Sequence, residues 1–321
     1  MLELFVDIKD ELQAVENELR QIVQERYQIL TETSTHLLNA GGKRLRPALT
    51  LYGAKFYNFD MEKVVPLAAT MELIHMASLV HDDVVDASMT RRGKPTVKAV
   101  WGNSVSTHIG SFLFAKSLIL LSRYEDTSLI FDVLSNTSVQ MSQGEIIQIS
   151  SSFDINQSIK DYLYRIKCKT ALLIAASAQL GAVACGAGRD IHLALRRYGY
   201  NIGMAFQITD DILDMIAEQR QLGKPIGGDL RQGIITLPVI YALQCCKDKK
   251  RLIELITKVE KNDDEVNEAL EIVKNSGAVD YSFDIAQKYV MKAKMELKKL
   301  PDIPTRMTLG MAADFVCARK F

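Results

Sequence analysis

Apolar residues recur at three- and four-residue steps over long stretches of the chain, while strict alternation of β-branched residues is scarce, and this pattern predicts an all-α fold. From Leu2 to Leu38, Leu, Ile and Val repeat in this way between charged residues, as in an amphipathic helix or helix pair, until Asn39-Ala40-Gly41-Gly42 breaks the run. Further helices are predicted near Pro47–Tyr57, Val64–Asp86, Ser104–Ser122, Ser128–Ser150, Ser158–Ala187, Ile191–Ile216 and Ile235–Cys246, with shorter ones towards the C-terminus. Lys247–Glu268 is the most charged stretch and is expected to be a solvated loop with helix ends. Ala171–Gly188 is nearly continuous in small apolar residues and approaches the length of a membrane span. Ser177, Gln179 and Gly181 interrupt it and Lys169 and Arg189 flank it, so it reads as a helix buried among other helices. No Pro/Ser-rich linker or shift in composition divides the segments, and a single helical domain over residues 1–321 is expected.

Composition narrows the class. Hydrophobic types make up 48% of the 321 residues, enough for a large core and against disorder as the main state. Lys plus Arg and Asp plus Glu both number 39, so no whole-chain basic field exists to bind nucleic acid, and no nucleic-acid partner is expected. The five cysteines, Cys168, Cys185, Cys245, Cys246 and Cys317, are odd in number and lack paired metal spacing, which disfavours a disulfide framework or zinc module. Met1–Leu12 has four acidic residues and no basic-then-apolar leader pattern, so a cytoplasmic location is expected.

The candidate chemistry lies in two aspartate clusters. His81-Asp82-Asp83-Val84-Val85-Asp86 ends an apolar helical run, where three carboxylates repel one another unless a cation lies between them. Asp82 and Asp86 are four apart and share one helix face, which sets two hard oxygen ligands a turn apart, as suits Mg²⁺ completed by water and substrate phosphate. Phe206-Gln207-Ile208-Thr209-Asp210-Asp211-Ile212-Leu213-Asp214 repeats the Asp-Asp-x-x-Asp spacing after another apolar run. If the two helices face each other, their carboxylates would clamp a diphosphate through several metal ions. Basic residues complete the account: Gly41-Gly42-Lys43-Arg44-Leu45-Arg46-Pro47 stands before a helix start, and Arg91-Arg92-Gly93-Lys94 follows the first cluster. Lys169-Thr170 and Lys224 in Gly223-Lys224-Pro225 are further candidates.

With these motifs in order, GGKRLRP at 41–47, HDDVVD at 81–86, RRGKPT at 91–96, KT at 169–170, GMAFQITDDILD at 203–214 and GKPIGGDLRQGIITLP at 223–238, the chain closely resembles the trans-polyprenyl diphosphate synthases along nearly its whole length. That resemblance implies the all-α isoprenoid synthase fold, a helical bundle around a central active-site cavity. It implies that Asp82, Asp86 and Asp210 bind Mg²⁺ directly and that Asp83, Asp211 and Asp214 support them directly or through water, with three ions per site. By the same resemblance Lys43, Arg46, His75 and Arg92 hold the diphosphate of isopentenyl diphosphate. Arg91, Lys169 and Lys224 contact the allylic diphosphate, and Thr170 and Gln207 stabilise the developing allylic cation through oxygen dipoles. The implied reaction is sequential trans condensation, in which the allylic C–O bond ionises, the isopentenyl double bond attacks, and proton loss gives a product five carbons longer. Ile234 and Ser111 depart from common family residues, and neither lies in a metal motif.

Within the family, IHMASLVHDDVVD at 74–86 and ADFVCARKF at 313–321 look most like the catalytic component of two-component hexaprenyl or heptaprenyl diphosphate synthases of menaquinone-making bacteria. This resemblance implies a heterodimer with a small non-catalytic subunit, otherwise a homodimer, and only transient membrane contact during product release. Ser104–Leu121 is a candidate pairing face. Ala77 and Ser78, one turn before Asp82, are small where short-chain relatives carry a bulky aromatic, which points to a long product. Competing readings are an HD-type phosphohydrolase using His36, His81 and Asp82, a shorter-chain geranylgeranyl diphosphate synthase, a class I terpene cyclase and a non-catalytic partner subunit. The phosphohydrolase leaves the second aspartate cluster unexplained.

Overall fold

The structure, a computed structural model, describes residues 2–124, 128–216 and 226–318, and nearly all of the regular structure among them is helical. A 3-10 segment, Leu2–Ile8, leads into α1 (Lys9–Ile22), α2 (Gln28–Asn39), α3 (Leu45–Ala54) and α4 (Met61–Val85). A two-stranded hairpin, β1 (Thr90–Arg91) and β2 (Lys94–Pro95), precedes α5 (Val97–Leu121), α6 (Ser128–Ser150), α7 (Ile159–Ile166), a π-helical turn over Lys167–Ala171, α8 (Leu172–Ala184) and α9 (Arg189–Ile216). The chain ends with α10 (Gly228–Gln232), α11 (Leu237–Cys245), α12 (Lys249–Thr257), α13 (Asp263–Asn275), α14 (Ala278–Leu297) and α15 (Pro304–Ala318). All five cysteines are free.

The chain forms two compact units interleaved in sequence, one from Met1–Ser135, Ala176–Arg196 and Leu297–Leu309, the other from Asn136–Ala175, Arg197–Glu296 and Gly310–Phe321. In the first unit α4 is the spine and packs against α1, α3 and α5. Its start is fixed by Asp60, whose side chain accepts the Glu62 N–H at 3.0 Å. Leu67, Met71, Leu73, Ile74 and Val80 are buried along it, so an apolar helix delivers the first aspartate cluster to its C-terminal end. The predicted start of the next helix at Ser104 falls two residues beyond Gly102, where α5 is kinked by a φ of 80°. Helices α3 and α8 meet backbone to backbone: a Cβ on Gly181 would lie 1.8 Å from the Thr50 carbonyl oxygen, and one on Gly53 would lie 2.3 Å from that of Ala178.

The second unit is built on a core that includes Tyr162, Ile166, Met204, Ile208, Ile212, Leu237 and Ile240. The expected helix Ser158–Ala187 is present as one continuous helical span, Ile159–Ala184, with a π-helical turn inside it. Ser158 and Asp161 form a capping box for α7, and the turn Lys167–Ala171 widens to a π-helix before α8 begins. The expected loop Lys247–Glu268 is corrected, because it holds α12 and the start of α13. Its charges lie outward while Leu252, Leu255, Ile256, Val266, Ala269 and Leu270 recur at helical spacing and join the core, and Asn262 with Glu265 caps α13. Three helical spans, Met61–Val85, Val97–Leu121 and Ile159–Ala184, are long and apolar enough to cross a membrane by length and composition. The last contains most of the run singled out in the sequence, and its most apolar eighteen residues are 83% buried inside the protein.

The Gly181 contact has a sign that helix propensity alone would reverse. At an open helix position Gly→Ala stabilises by about 1 kcal/mol. Gly181→Ala is expected to destabilise by about 1–3 kcal/mol because its methyl group must displace a backbone carbonyl. Urea denaturation followed by circular dichroism checks this, and a gain in stability would contradict the close packing of α3 on α8.

Candidate active site

In the first unit a cluster of cations gathers around α4. Arg44 stands at the N-cap of α3 in the left-handed region, with φ 46° and ψ 37°, and its guanidinium is consumed by the protein. Arg44 Nε bonds Glu16, Nη1 donates to Glu72 at 2.8 Å, and Nη2 donates to the Leu38 carbonyl at 3.3 Å. Arg46, on the first turn of α3, is different: its Nε is buried without a hydrogen-bond partner. Burial, only partly offset by Glu72, lowers the Arg46 pKa to about 10. The hairpin carries Arg92 to the same loop. Arg92 and Gly93 both have positive φ, as a two-residue turn of the twisted hairpin type requires, and Arg92 donates to the Gly41 carbonyl. Lys43 is exposed on that loop. His75 lies one turn after Glu72 on α4, and burial followed by the fields of Arg46, Arg92, Arg91 and Arg44 pushes its pKa well below the ordinary value. A neutral imidazole beside several guanidiniums is an environment made for an anion.

The first aspartate cluster closes the same helix, two turns beyond His75. Asp82 and Asp86 are both partly exposed, with the Asp86 N–H donating to the Asp82 carbonyl at 2.8 Å. Asp83 is only 2% exposed, and its Oδ1 accepts both Nε and Nη2 of Arg91 at 2.8 and 2.7 Å. Asp83 thus anchors Arg91, one of the expected phosphate contacts, to the end of α4. His81 presses on α5 so closely that a Cβ on Gly110 would lie 2.3 Å from its Nε2, and that nitrogen lies 3.3 Å from the Thr107 carbonyl. His36 is 2.8 Å from the Pro95 carbonyl and edge-on to Trp101, contacts that occupy it away from a His81–Asp82 metal pair.

The second unit brings together Lys169, Thr170, Gln207 and the second aspartate cluster. The π-helical turn presents Lys169 to Glu145 at 2.9 Å and Thr170 to Gln207. Thr170 Oγ1 donates to Gln207 Oε1 at 2.7 Å, Gln207 Nε2 donates to Asp211 Oδ1 at 2.8 Å, and Tyr162 OH donates to Asp211 Oδ2 at 2.7 Å. This chain fixes the Gln207 amide and engages both oxygens of Asp211. Asp214 accepts the backbone N–H groups of Gly228 and Asp229 at 3.2 and 3.1 Å and so holds the start of α10. Asp210 is partly exposed. Lys224 lies outside the described residues.

Glu72, Glu145, Tyr162 and Asp229 join these sites without being among the residues expected from the sequence. Glu72 was visible as an acid in an apolar run, and Asp229 as the acid in GGDL, whereas Tyr162 and Glu145 carry no local signal. Burial, then repulsion from Asp214 and Asp211, raises the Asp229 pKa well above its ordinary value, and burial raises that of Asp211 to about 6. Among the described residues no three His, Cys, Asp or Glu side chains form a ready-made metal cage. Paired carboxylates a turn apart fit Mg²⁺ nonetheless, since that ion takes one or two carboxylates and leaves its other positions to water and phosphate.

Residues 27–273 match the family model described as polyprenyl synthetase. The chain is 43% identical to heptaprenyl diphosphate synthase component 2 of Bacillus subtilis (strain 168), covering 98% of this chain and 89% of that protein. It is also 43% identical to the protein of the same name from Geobacillus stearothermophilus, over 98% of this chain and 97% of that protein. Among solved structures, the polyprenyl synthase of Caulobacter crescentus CB15, complexed with calcium and isoprenyl diphosphate, superposes with a TM-score of 0.94 at 35% identity, covering 100% of this chain and 98% of that one. Heptaprenyl diphosphate synthase from Staphylococcus aureus gives a TM-score of 0.92 at 33% identity, covering 99% of this chain and 100% of that one.

The raised pKa of Asp211 predicts how metal and pH combine. Its folded value of about 6 lies above the ordinary 3.8, so the stability it contributes is full below about pH 4 and is lost as pH rises through about 6. Divalent cation should restore what the ionised cluster loses. Added Mg²⁺ is expected to raise the melting temperature more at pH 7.5 than at pH 5, as scanning fluorimetry would measure. An equal or larger shift at pH 5 would contradict a metal role for this cluster.

Proposed function

The chain belongs to the polyprenyl synthetase family and is a prenyltransferase with the all-α isoprenoid synthase fold, and we propose that it makes hexaprenyl or heptaprenyl diphosphate by Mg²⁺-dependent trans condensation. The observation that carries this reading is the arginine cluster around a neutral His75 in the same unit, and on the same helix α4, as the first aspartate pair Asp82 and Asp86. When bound, three Mg²⁺ ions would neutralise the departing diphosphate and so ease ionisation of the allylic C–O bond. Asp82, Asp86 and Asp210 would hold them, with Asp83, Asp211 and Asp214 keeping the surrounding residues in place through Arg91, Gln207, Tyr162 and the start of α10. Lys169 would meet the allylic diphosphate. Lys43, Arg46 and Arg92 would hold the diphosphate of isopentenyl diphosphate, with His75 beside them.

The C–O bond breaks with its electron pair leaving on diphosphate, and the allylic fragment becomes a cation. The Thr170 hydroxyl and the Gln207 amide oxygen, tied to one another at 2.7 Å, offer it oxygen dipoles without placing a nucleophilic charge beside it. The isopentenyl π electrons form the new C–C bond, and a proton leaves to the released diphosphate as the new trans double bond forms. Each cycle yields diphosphate and an allylic product five carbons longer, which enters the next cycle.

Chain length and assembly are read from α4 and α5. Ala77, 3% exposed, and Ser78 are small at the position one turn before Asp82, which leaves room for a growing chain. Six units need a tunnel on the order of 30 Å, the length of a helix of about twenty residues. Helix α5 is apolar but only 39% of its most apolar window is buried, compared with 78% for α4, and Val100, Leu118 and Ile119 are exposed on it. Such a face fits a partner subunit, as the name of the Bacillus relative supports. The reading is completed by a cytoplasmic enzyme that supplies menaquinone side chains, pairs with a small non-catalytic subunit or otherwise with itself, and touches membrane only to release product.

Incubating the purified chain with labelled isopentenyl diphosphate and farnesyl diphosphate, alone and with a small co-encoded protein, tests the proposal by product chromatography. Six- or seven-unit products are expected, strongly enhanced by the partner. Ala77→Tyr should shorten them to about three or four units by filling the space beside α4. Unchanged long products from that variant would contradict the chain-length assignment.

A further inference from the structure

We propose that Glu72, a carboxylate buried beside the arginine cluster, sets the affinity of that cluster for diphosphate. It is a positioning residue that acts through Arg44, Arg46 and Arg92, and the inference rests on the reading of that cluster as the isopentenyl diphosphate site.

Glu72 is 4% exposed within an otherwise apolar stretch of α4, a costly place for a charge unless cations surround it. Its Oε1 accepts Arg44 Nη1 at 2.8 Å, and the remaining Arg44 nitrogens are taken by Glu16 and the Leu38 carbonyl. Arg44 is therefore a strut between α1, α2 and α4 rather than a ligand-facing group. Its neighbours differ. Arg46 keeps a buried Nε without a partner, and Arg92 is spent on one backbone carbonyl of the same loop. The field of Glu72 reaches all three guanidiniums: in each it raises a pKa that burial lowers. His75, on the next turn of α4, adds no charge while the site is empty.

Two consequences follow from one carboxylate in this position. Without substrate, Glu72 offsets the mutual repulsion of Arg44, Arg46 and Arg92, and keeps them from opening outward. With substrate, it repels the incoming diphosphate and weakens the cluster's hold. A site that must exchange its isopentenyl diphosphate at every elongation cycle benefits from that restraint. A residue with a merely structural role would give the first effect and not the second.

The test is calorimetric titration of inorganic diphosphate into the full-length chain at pH 8, for the wild type and for Glu72→Gln, Glu72→Asp and Arg46→Ala. Glu72→Gln should lower the melting temperature of the empty protein and lower the dissociation constant for diphosphate by at least about tenfold, since one unit charge acting over roughly 10 Å at an effective dielectric of about 20 is worth about that factor for each charge on the ligand. Its Michaelis constant for isopentenyl diphosphate should fall while that for the allylic substrate stays. Glu72→Asp, which keeps the charge, should bind diphosphate as the wild type does. A Glu72→Gln chain that folds only with diphosphate present would also support the proposal. A folded Glu72→Gln with unchanged or weaker binding would overturn it, as would a chain that stays unfolded at saturating diphosphate, or Glu72→Asp behaving like Glu72→Gln. If Arg46→Ala bound diphosphate as tightly as the wild type, the reading of the cluster as an anion site would itself fall.

Discussion

The molecule's central constraint is the confinement of like charges within an apolar helical frame. Carboxylates and guanidiniums repel their own kind strongly when water is scarce, so each cluster must be stabilised from within the protein or by a ligand of opposite sign. The protein supplies part of that balance. Asp83 is matched by Arg91, Arg44 by Glu16 and Glu72, and Lys169 by Glu145. What it leaves over has a definite sense: an unpartnered Arg46 Nε and a neutral His75 in one unit, and acids with raised pKa values at Asp211 and Asp229 in the other. The first remainder calls for an anion and the second for a cation.

Local backbone irregularity brings these groups to their positions. Arg44 and Arg92 both adopt positive φ, a cost of order 1–3 kcal/mol each where surrounding contacts must hold the conformation. Arg44 is held by two carboxylates and a carbonyl, and Arg92 by the hairpin and the Gly41 carbonyl. The π-helical turn at Lys167–Ala171 is the corresponding device in the second unit, where Lys169 pairs with Glu145 and Thr170 with Gln207. The rest of α7, α8 and α9 is regular, and regularity there gives the irregular turn a fixed base.

Helix content and the two aspartate motifs were legible in the sequence because both rest on short-range spacing. Asp82 and Asp86 share a face by helix geometry alone, and Ser128–Ser150 has the predicted bounds. The charged stretch Lys247–Glu268 was misread because its charges outnumber its apolar residues, although Leu252, Leu255 and Ile256 already have helical spacing. Partners distant in sequence were not legible. Tyr162 reaches Asp211 across 49 positions, and nothing near Tyr162 announces it. The division of labour among neighbouring aspartates was hidden for the same reason, since Asp83 and Asp82 differ only in what each meets.

The most direct test of the charge-balance account is calorimetric titration of Mg²⁺ together with a non-ionisable allylic thiolodiphosphate into the wild type, Asp82→Ala and Asp210→Ala. The account predicts tight, metal-dependent binding to the wild type, and loss of at least about tenfold in affinity in each variant with the helical circular dichroism spectrum retained. Wild-type affinity in either folded variant would contradict it.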